Sequence, residues 1–471
     1  MDYSRRGMTT TTMASTTRSE ASDEDRIDTL SRPANPFATP LGSTPQASKP
    51  GSFIASSSSF QQQKHQEQPY FRSRRVDKEA AEKPWLKKKD SKEKWVTIIP
   101  IIGVLIGLGI SGYLIYDGLM SVKNFTYCSV YESDFSRGLD MDVWTKEVEV
   151  GGFGNGQFEQ TTQTDENAYI KDGVLIIKPT LQDKELIENN NTINLLKSGL
   201  CTSDTWANCV ATTNTTNGTI VNPVKSARLS TRGGASIKYG RIEVEAKLPS
   251  GDWLWPAIWM MPVKNTYGPW PASGEIDIVE SRGNNHTYNP QGGRNIMSST
   301  LHWGPDSAND QWWQTNEKLA ALHTTYADSW HTFGLEWTEK YIFTYVGSRL
   351  LQVLYTDFNK PFWQKGSFPP ATANGTNIVD PWSQTGRDAT PFDQEFYLII
   401  NVAVGGTNNW FMDGVAGKPW VNDSPTAKLD FWKARDQWYP TWTQPMEIRS
   451  VKMMQQSGFN GCSAGAPWSE A

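Results

Sequence analysis

Between Trp95 and Tyr116 the chain runs for 22 residues, WVTIIPIIGVLIGLGISGYLIY, without one charged side chain. A helix needs about 20 apolar residues to cross the hydrocarbon layer of a bilayer. A buried core helix of a soluble domain rarely stays this apolar for this length. Trp95, Tyr113 and Tyr116 stand where amphipathic rings suit the headgroup level, and Pro100 and the glycines are tolerated inside such a helix. The run is preceded by 94 residues, whereas a secretory signal lies nearer the start. It therefore reads as a retained transmembrane helix over 95–116. Seven lysines (Lys78, Lys83, Lys87, Lys88, Lys89, Lys92 and Lys94) lie before it, against Lys123 and then Arg137 after it. Basic flanks stay in the cytoplasm. The expected layout is single-pass type II, with the N-terminus cytoplasmic and the C-terminal part in the secretory lumen or at the cell surface.

The run separates unlike parts. The first 75 residues are dominated by Ser, Thr, Gln and Pro and show neither helical nor strand periodicity. Such a segment cannot bury enough apolar surface to offset its ordering entropy, so 1–94 is expected to be a disordered cytoplasmic tail. All four cysteines (Cys128, Cys201, Cys209 and Cys462) and all seven N-x-[S/T] sequons (Asn124, Asn190, Asn214, Asn217, Asn285, Asn374 and Asn422) follow the run. Both features suit an oxidising, glycosylating compartment. Four cysteines allow three pairings; those expected are Cys201–Cys209, closing a local loop, and Cys128–Cys462, tying the ends of the domain. Residues 117–127 read as a stalk and 128–471 as one large domain.

Within that domain the pattern is β. Residues 241–248 alternate polar and apolar, the mark of a half-buried strand. The segments 173–178, 341–346 and 395–404 are rich in β-branched and aromatic residues. One helix is expected, capped by Ser424, with Pro425 in its first turn and its end near Trp438. Many strands, scarce helix and no internal repeat point to a single all-β sandwich. A net charge of -5 argues against nucleic acid as a partner. Five histidines and no Cys-x-x-Cys leave little from which to build a zinc site.

The feature that carries chemistry is GEIDIVE at 274–280, three carboxylates within six residues of an otherwise apolar strand. With period 2, Glu275 and Asp277 share a face and Glu280 points away. One inserted residue, a bulge around Ile278/Val279, returns Glu280 to the face of the other two. Ile276 and one of Ile278/Val279 then anchor the opposite face. Paired carboxylates across a scissile bond are what glycoside hydrolysis uses. Crowding raises the pKa of at least one, so a proton donor survives at working pH. Solvated acids on an outer strand face would give period-2 acids, but would not need a register break.

The surroundings suit sugar. Trp253, Trp255, Trp259 and Trp270 precede the acids; His302-Trp303 and Trp312-Trp313 follow. Flat rings match the apolar faces of pyranoses, while polar tips fix hydroxyls. For any single tryptophan core packing is at least an equal reading, and Trp255 and Trp337 are the first assigned to it. His302 is assigned to the cleft, donating to a sugar hydroxyl or to Asp277.

These residues bring a resemblance. The region 130–456 resembles the family 16 glycoside hydrolases, the laminarinase-like endo-β-1,3(4)-glucanases. The likeness centres on the bulged E-x-D-x-x-E of 274–280. It extends to GRIEVEAKLP (240–249), WPAIWMMP (255–262), WPASG (270–274), HTFGLEW (331–337) and NVAVGG (401–406). It implies a β-jelly-roll of two curved antiparallel sheets with the acids on the concave face. Glu275 would be the nucleophile, Glu280 the general acid/base and Asp277 the assisting carboxylate. Trp270, Trp259 and Asn155 match positions that contact sugar in the family. The resemblance implies no cofactor for the chemistry, and in many members a structural calcium on the convex side, for which no ligand set is identified here.

A type II anchor departs from the mostly secreted family and resembles fungal wall-synthesis proteins, in which a sugar hydroxyl replaces water as acceptor. Three readings follow. The first is a retaining hydrolase of β-1,3-glucan, or its transglycosylating counterpart. The second is a non-catalytic β-glucan-binding or sensing membrane protein, and the third a structural protein indifferent to sugar. The intact acids favour the enzyme.

Overall fold

The computed structural model describes residues 75–79, 82–84, 90–121, 125–288, 291–372 and 374–463. Residues 1–74, 80–81 and 85–89 of the tail expected over 1–94, and the sequon at Asn124, lie outside them. Helix α1 (Glu93–Ser121) contains the apolar run and extends it at both ends. It is long and apolar enough to cross a bilayer, and its side chains are exposed. It continues into the segment assigned to the stalk, and the first strand begins at Tyr127.

Fifteen strands build two antiparallel sheets. In chain order they are β1 (Tyr127–Ser133), β2 (Thr145–Glu147), β3 (Ala168–Lys171), β4 (Val174–Ile177), β5 (Arg228–Ser230), β6 (Gly240–Lys247), β7 (Leu254–Pro262), β8 (Glu275–Ser281), β9 (Ile296–His302), β10 (Asn316–Ala320), β11 (His331–Trp337), β12 (Tyr341–Val346), β13 (Gln352–Asp357), β14 (Phe396–Val404) and β15 (Met446–Gln456). The site-bearing sheet has the order β10-β9-β8-β7-β14-β5-β2. The second runs β13-β12-β11-β6-β15-β4-β3, with β1 also paired to β15.

Alternation explains the sandwich. On β6 the apolar set Ile242, Val244 and Ala246 is fully buried. These side chains join Phe333, Leu335 and Ile342 of the same sheet, and Ile258, Ile276, Leu301 and Ile400 of the facing one, in a single core. A buried hydrogen bond from Thr344 Oγ1 to Ser299 Oγ (2.8 Å) links the sheets. The structure joins Cys128 to Cys462, fastening β1 to the segment after β15, and Cys201 to Cys209 beside the hairpin Thr192–Asn194/Val210–Thr212.

The helix expected from Ser424 to Trp438 is divided. Helix α2 (Ala427–Lys433) starts after Thr426, and α3 (Arg435–Trp438) follows a break at Ala434. The break has a cause in packing. Phe431 and Trp438 stack with ring centroids 4.1 Å apart. Residues seven apart on an unbroken helix stand roughly 10 Å apart along its axis, so the stack requires the chain to turn.

Candidate active site

The three acids lie on β8, the third strand of the seven-stranded sheet, between β9 and β7. Across β9, Glu275 pairs with His302, Asp277 with Thr300 and Glu280 with Ser298. Three steps on β8 from Asp277 to Glu280 therefore match two on β9. Against β7, Trp259 pairs with Asp277 and Ile258 with Val279, so the extra residue is Ile278. The bulge puts all three acids on one face. It also sends both Ile278 and Val279 into the core, at 1% and 0% exposure, where one of the two was expected. The reason is local: Ser299 Oγ donates to Ile278 O (2.7 Å), satisfying a carbonyl that the register break leaves without its ladder partner. Glu275 and Glu280 face residues four apart on β9, so their Cα atoms are about 13 Å apart. The two long side chains must lean inward over Asp277 to flank one bond.

Each acid has its own partner. Trp270, 39% exposed at the cleft edge, donates its indole N–H to Glu275. Trp255 Nε1 donates to Glu280 Oε1 (2.9 Å). Trp255 is stacked on Trp410 at 4.7 Å, and Arg282 lies 3.9 Å over the Trp410 ring. Asp277 is buried, and His302 Nε2 stands 3.3 Å from its Oδ2, an ion-pair separation without the alignment of a hydrogen bond. On its other side His302 Nδ1 meets Asp310 Oδ2 at 2.5 Å. Asp310 Oδ1 accepts from the backbone N–H groups of Trp303 and Trp312.

Burial holds all three carboxyls above the ordinary carboxylate range. Neighbouring charge adds to it: Asp277 acts on Glu275, and Glu280 acts on Asp277. Glu275 and Asp277 titrate as a pair that retains a proton toward neutrality. Burial alone would lower the His302 pKa, but its contacts with Asp277 and Asp310, together with the charge of Glu275, carry it well above the usual imidazole value. Glu275, Asp277 and His302 bring metal-ligand-type atoms within 4.8 Å of one another, the one such side-chain trio among the described residues. With His302 set between Asp277 and Asp310, the trio can share protons. It lies on the face of the acids, and among the described residues no second such trio marks the expected convex-side calcium.

Replacing Asp310 with Asn removes one of the anions that stabilise the imidazolium, so the His302 titration should move down toward its ordinary range. A group with a raised folded pKa contributes stability below its unfolded pKa and loses it as pH rises through the folded value. The variant should therefore trail the wild type in thermal stability at mildly acidic and neutral pH, with the gap closing at alkaline pH. Proton NMR titration of the histidines and melting curves across pH test this. An unmoved His302 signal would remove Asp310 from the network.

The other assigned residues divide. Trp259 is half-buried, donates Nε1 to Asn401 Oδ1 (2.7 Å), and has the Arg228 guanidinium 4.7 Å over its ring. Arg228 also lies 4.2 Å over Phe153 and pairs with Glu147. One face of Trp259 is thus covered by protein. Asn155 follows the tight turn Gly152–Gly154 and is half-buried, and its carbonyl accepts from Thr407 N (3.2 Å). Trp312 and Trp313 are exposed.

Trp253 and Trp303 belong to the core, at 1% and 0% exposure. Trp253 is wedged edge-on against Phe411 and Trp420. Trp303 is wedged against Phe362, with its N–H on Thr315. Trp337 is in the core as expected, whereas Trp255 serves both core and site. Five of the six described sequon asparagines are exposed. Asn422 is the exception, half-buried with its Nδ2 donating to Asn409. The sequence reading missed Asp310, Trp410, Arg282, Arg228 and Asn401 as members of the site. Only Asn401 lay in a segment singled out beforehand.

The family model "Glycosyl hydrolases family 16" matches residues 187–385, which include the three acids. A β-1,3-glucan-binding protein of Penaeus monodon is 42% identical over 322 residues, covering 67% of this chain and 84% of that protein. Glucan endo-1,3-beta-glucosidase A1 of Niallia circulans is 29% identical over 307 residues, covering 64% of this chain and 34% of that protein. The chain spans 55–64% of the length of several insect relatives. Among solved structures, the laminarinase from Rhodothermus marinus is 25% identical, covering 71% of this chain and all of that one, with a TM-score of 0.45. With a relative this similar matched over most of its length, and the acids inside the matched segment, the chain belongs to glycosyl hydrolases family 16.

Proposed function

We propose that the chain is a retaining glycoside hydrolase of β-1,3-linked glucan, held at a membrane by α1. The observation that carries this reading is the set of three carboxylates on one sheet face, Asp277 buried and Glu275 and Glu280 half-buried, each with its own partner: Trp270 on Glu275, His302 beside Asp277 and Trp255 on Glu280.

In the first step Glu275 attacks the anomeric carbon as a carboxylate. The C–O bond to the leaving sugar breaks as Glu280 delivers its proton to that oxygen. In the second step Glu280, now ionised, takes a proton from water. The resulting hydroxide equivalent attacks the same carbon and releases Glu275. Glu275 reacts from its ionised form, and the His302 cation beside Asp277 offsets the negative charge that the two carboxylates then share. Burial raises the Glu280 pKa, the direction its acid role needs. The chemistry calls for no cofactor. If a sugar hydroxyl takes the place of water, the same residues perform transglycosylation.

A second reading is favoured by a specific observation: several relatives, including the 42% identical one, are named as β-1,3-glucan-binding proteins. That reading predicts binding without turnover.

The test uses the purified full-length chain in detergent with laminarin, following reducing ends and product lengths together. New reducing ends with shorter products are expected. Longer products with few new ends would make it a transglycosylase, and binding with neither change would make it a glucan-binding protein.

A further inference from the structure

Glu280 and Arg282 stand two residues apart at the end of β8. Ser281 between them turns into the core and donates Oγ to Ile296 O (2.6 Å), so the two share the face of the acids. On β7 the register that pairs Ala257 with Glu280 continues through Gly283 N on Leu254 O (2.8 Å), which sets Trp255 opposite Arg282. Trp410 reaches the same place from the segment after β14. Its indole lies nearly parallel to Trp255 (4.7 Å, 13°), and the Arg282 guanidinium is centred 3.9 Å over it. At those separations the two neighbours would collide on one face of the ring, so Trp410 is sandwiched between them. Its own Nε1 is buried without a partner. The faces of the indole hold it, and its N–H does not.

Arg282 also grips the main chain of the same residue. Nε and Nη2 donate to Trp410 O (3.1 and 2.8 Å), and Nη2 donates to Gln291 Oε1. Arg282 is 5% exposed, and among the described residues no carboxylate forms an ion pair with it. A guanidinium buried in this way is costly, and burial lowers its pKa to about 10. It is still a cation at neutral pH, supported by an aromatic face, a carbonyl and the charge of Glu280. Its contacts form one line, from the guanidinium through Trp410 to Trp255, and from Trp255 Nε1 to Glu280 Oε1 (2.9 Å). Among the described residues Trp255 is the one side-chain donor to the Glu280 carboxyl.

We infer that Arg282 is a positioning residue for the acid/base: by clamping Trp410 onto Trp255 it fixes where the Glu280 carboxyl stands in the cleft. The inference rests on the proposed function in one respect, the role of Glu280 as proton donor to the leaving sugar. The charged and titratable groups that face Glu280 are Glu275 and Asp277 on its own strand, His302 on β9, and Arg282; those that face Arg282 are Glu280, Tyr288 and Lys318. The Arg282 charge and the Trp255 N–H both favour the ionised form of Glu280.

The test uses the full-length chain in detergent with two substrates, laminarin and a dinitrophenyl β-glycoside of laminaribiose. The first needs a proton on its leaving oxygen, and the second does not. In Arg282→Met, kcat/KM for laminarin should fall about 100-fold, the scale of a misplaced catalytic group. For the aryl glycoside it should stay within about threefold of wild type. The alkaline limb of the laminarin pH profile should move to higher pH, because both influences that favour ionised Glu280 are weakened. Trp410→Ala, which empties the middle of the sandwich, should show the same split between substrates. Arg282→Lys keeps the charge without the planar fork, so the split should persist with a smaller displacement of the limb. These two variants carry the comparison if Arg282→Met does not fold. Equal losses on both substrates, or an unmoved limb in Arg282→Met, overturn the positioning role. The Trp255 indole N–H resonance, recognised by its loss in Trp255→Phe, reports Glu280 ionisation without turnover. If wild type cleaves neither substrate, the hydrolase reading falls. An indole titration that moves to higher pH in Arg282→Met then still supports the clamp, and an unmoved one overturns it.

Discussion

Glu275→Gln should lower laminarin turnover by at least about 10⁴-fold while leaving the fold and glucan binding intact. The loss is large because the amide cannot form the glycosyl-enzyme bond, and no other carboxylate can replace it: Asp277 is buried and Glu280 is held by Trp255. The fold should survive because glutamine keeps the shape and the hydrogen bonds. Its amide oxygen still accepts from Trp270, and its NH₂ can donate to Asp277.

The same substitution has a second signature. Burial and the charge of Asp277 hold Glu275 above its ordinary value of 4.5. A carboxyl raised in the folded state contributes stability below its unfolded pKa and loses it as pH rises through the folded value. Wild type should therefore lose stability from mildly acidic pH into the alkaline range. The variant, lacking that titration, should match or exceed it, by a margin that widens with pH. Steady-state kinetics and melting curves from pH 4 to 9 read both effects. Turnover within about tenfold of wild type would remove Glu275 as nucleophile, since loss of a catalytic nucleophile costs far more than this. A stability margin that narrows with pH would contradict the electrostatics.

The strands and the acid face were legible because both rest on local periodicity. Residues 241–248 alternate, and β6 follows them. The need for one extra residue in 274–280 follows from period 2 alone, and the register supplies it at Ile278. What was not legible depends on partners distant in sequence. Trp253 and Trp270 look alike in a Trp-rich stretch. One is buried because Phe411 and Trp420 close over it; the other is exposed because nothing does. Asp310 carries no signal of its own: it lies on an irregular turn, and its role exists only because that turn folds back beneath His302. Arg228 covers a face of Trp259 from a strand two places across the sheet, which no spacing argument could foresee. The broken helix at Ala434 belongs to the same class, since propensity favours continuation and an aromatic stack decides against it.

Glu280→Ala should separate the two glutamates by role. Turnover of laminarin should fall by about 10³-fold or more, because a sugar leaving group needs a proton as its bond breaks. An aryl β-glucoside with a good leaving group should be spared in the first step and stall as the glycosyl-enzyme on Glu275, since no base remains to activate water. Azide needs no base. Added azide should restore turnover and yield the β-glycosyl azide, by attack on the face opposite the Glu275 ester. In Glu275→Ala, azide would attack the substrate directly, from the side the nucleophile vacated, and yield the α-azide. The configuration of the two products, read by NMR, therefore assigns the roles independently of any rate. A β product from Glu275→Ala together with an α product from Glu280→Ala would reverse the assignment. The indole N–H of Trp255 loses its acceptor in Glu280→Ala, and an unpaired buried donor costs about 1–3 kcal/mol. A moderate drop in melting temperature is therefore expected alongside the kinetic loss. It should be absent in Glu280→Gln, which keeps an acceptor for Trp255 yet cannot donate the catalytic proton.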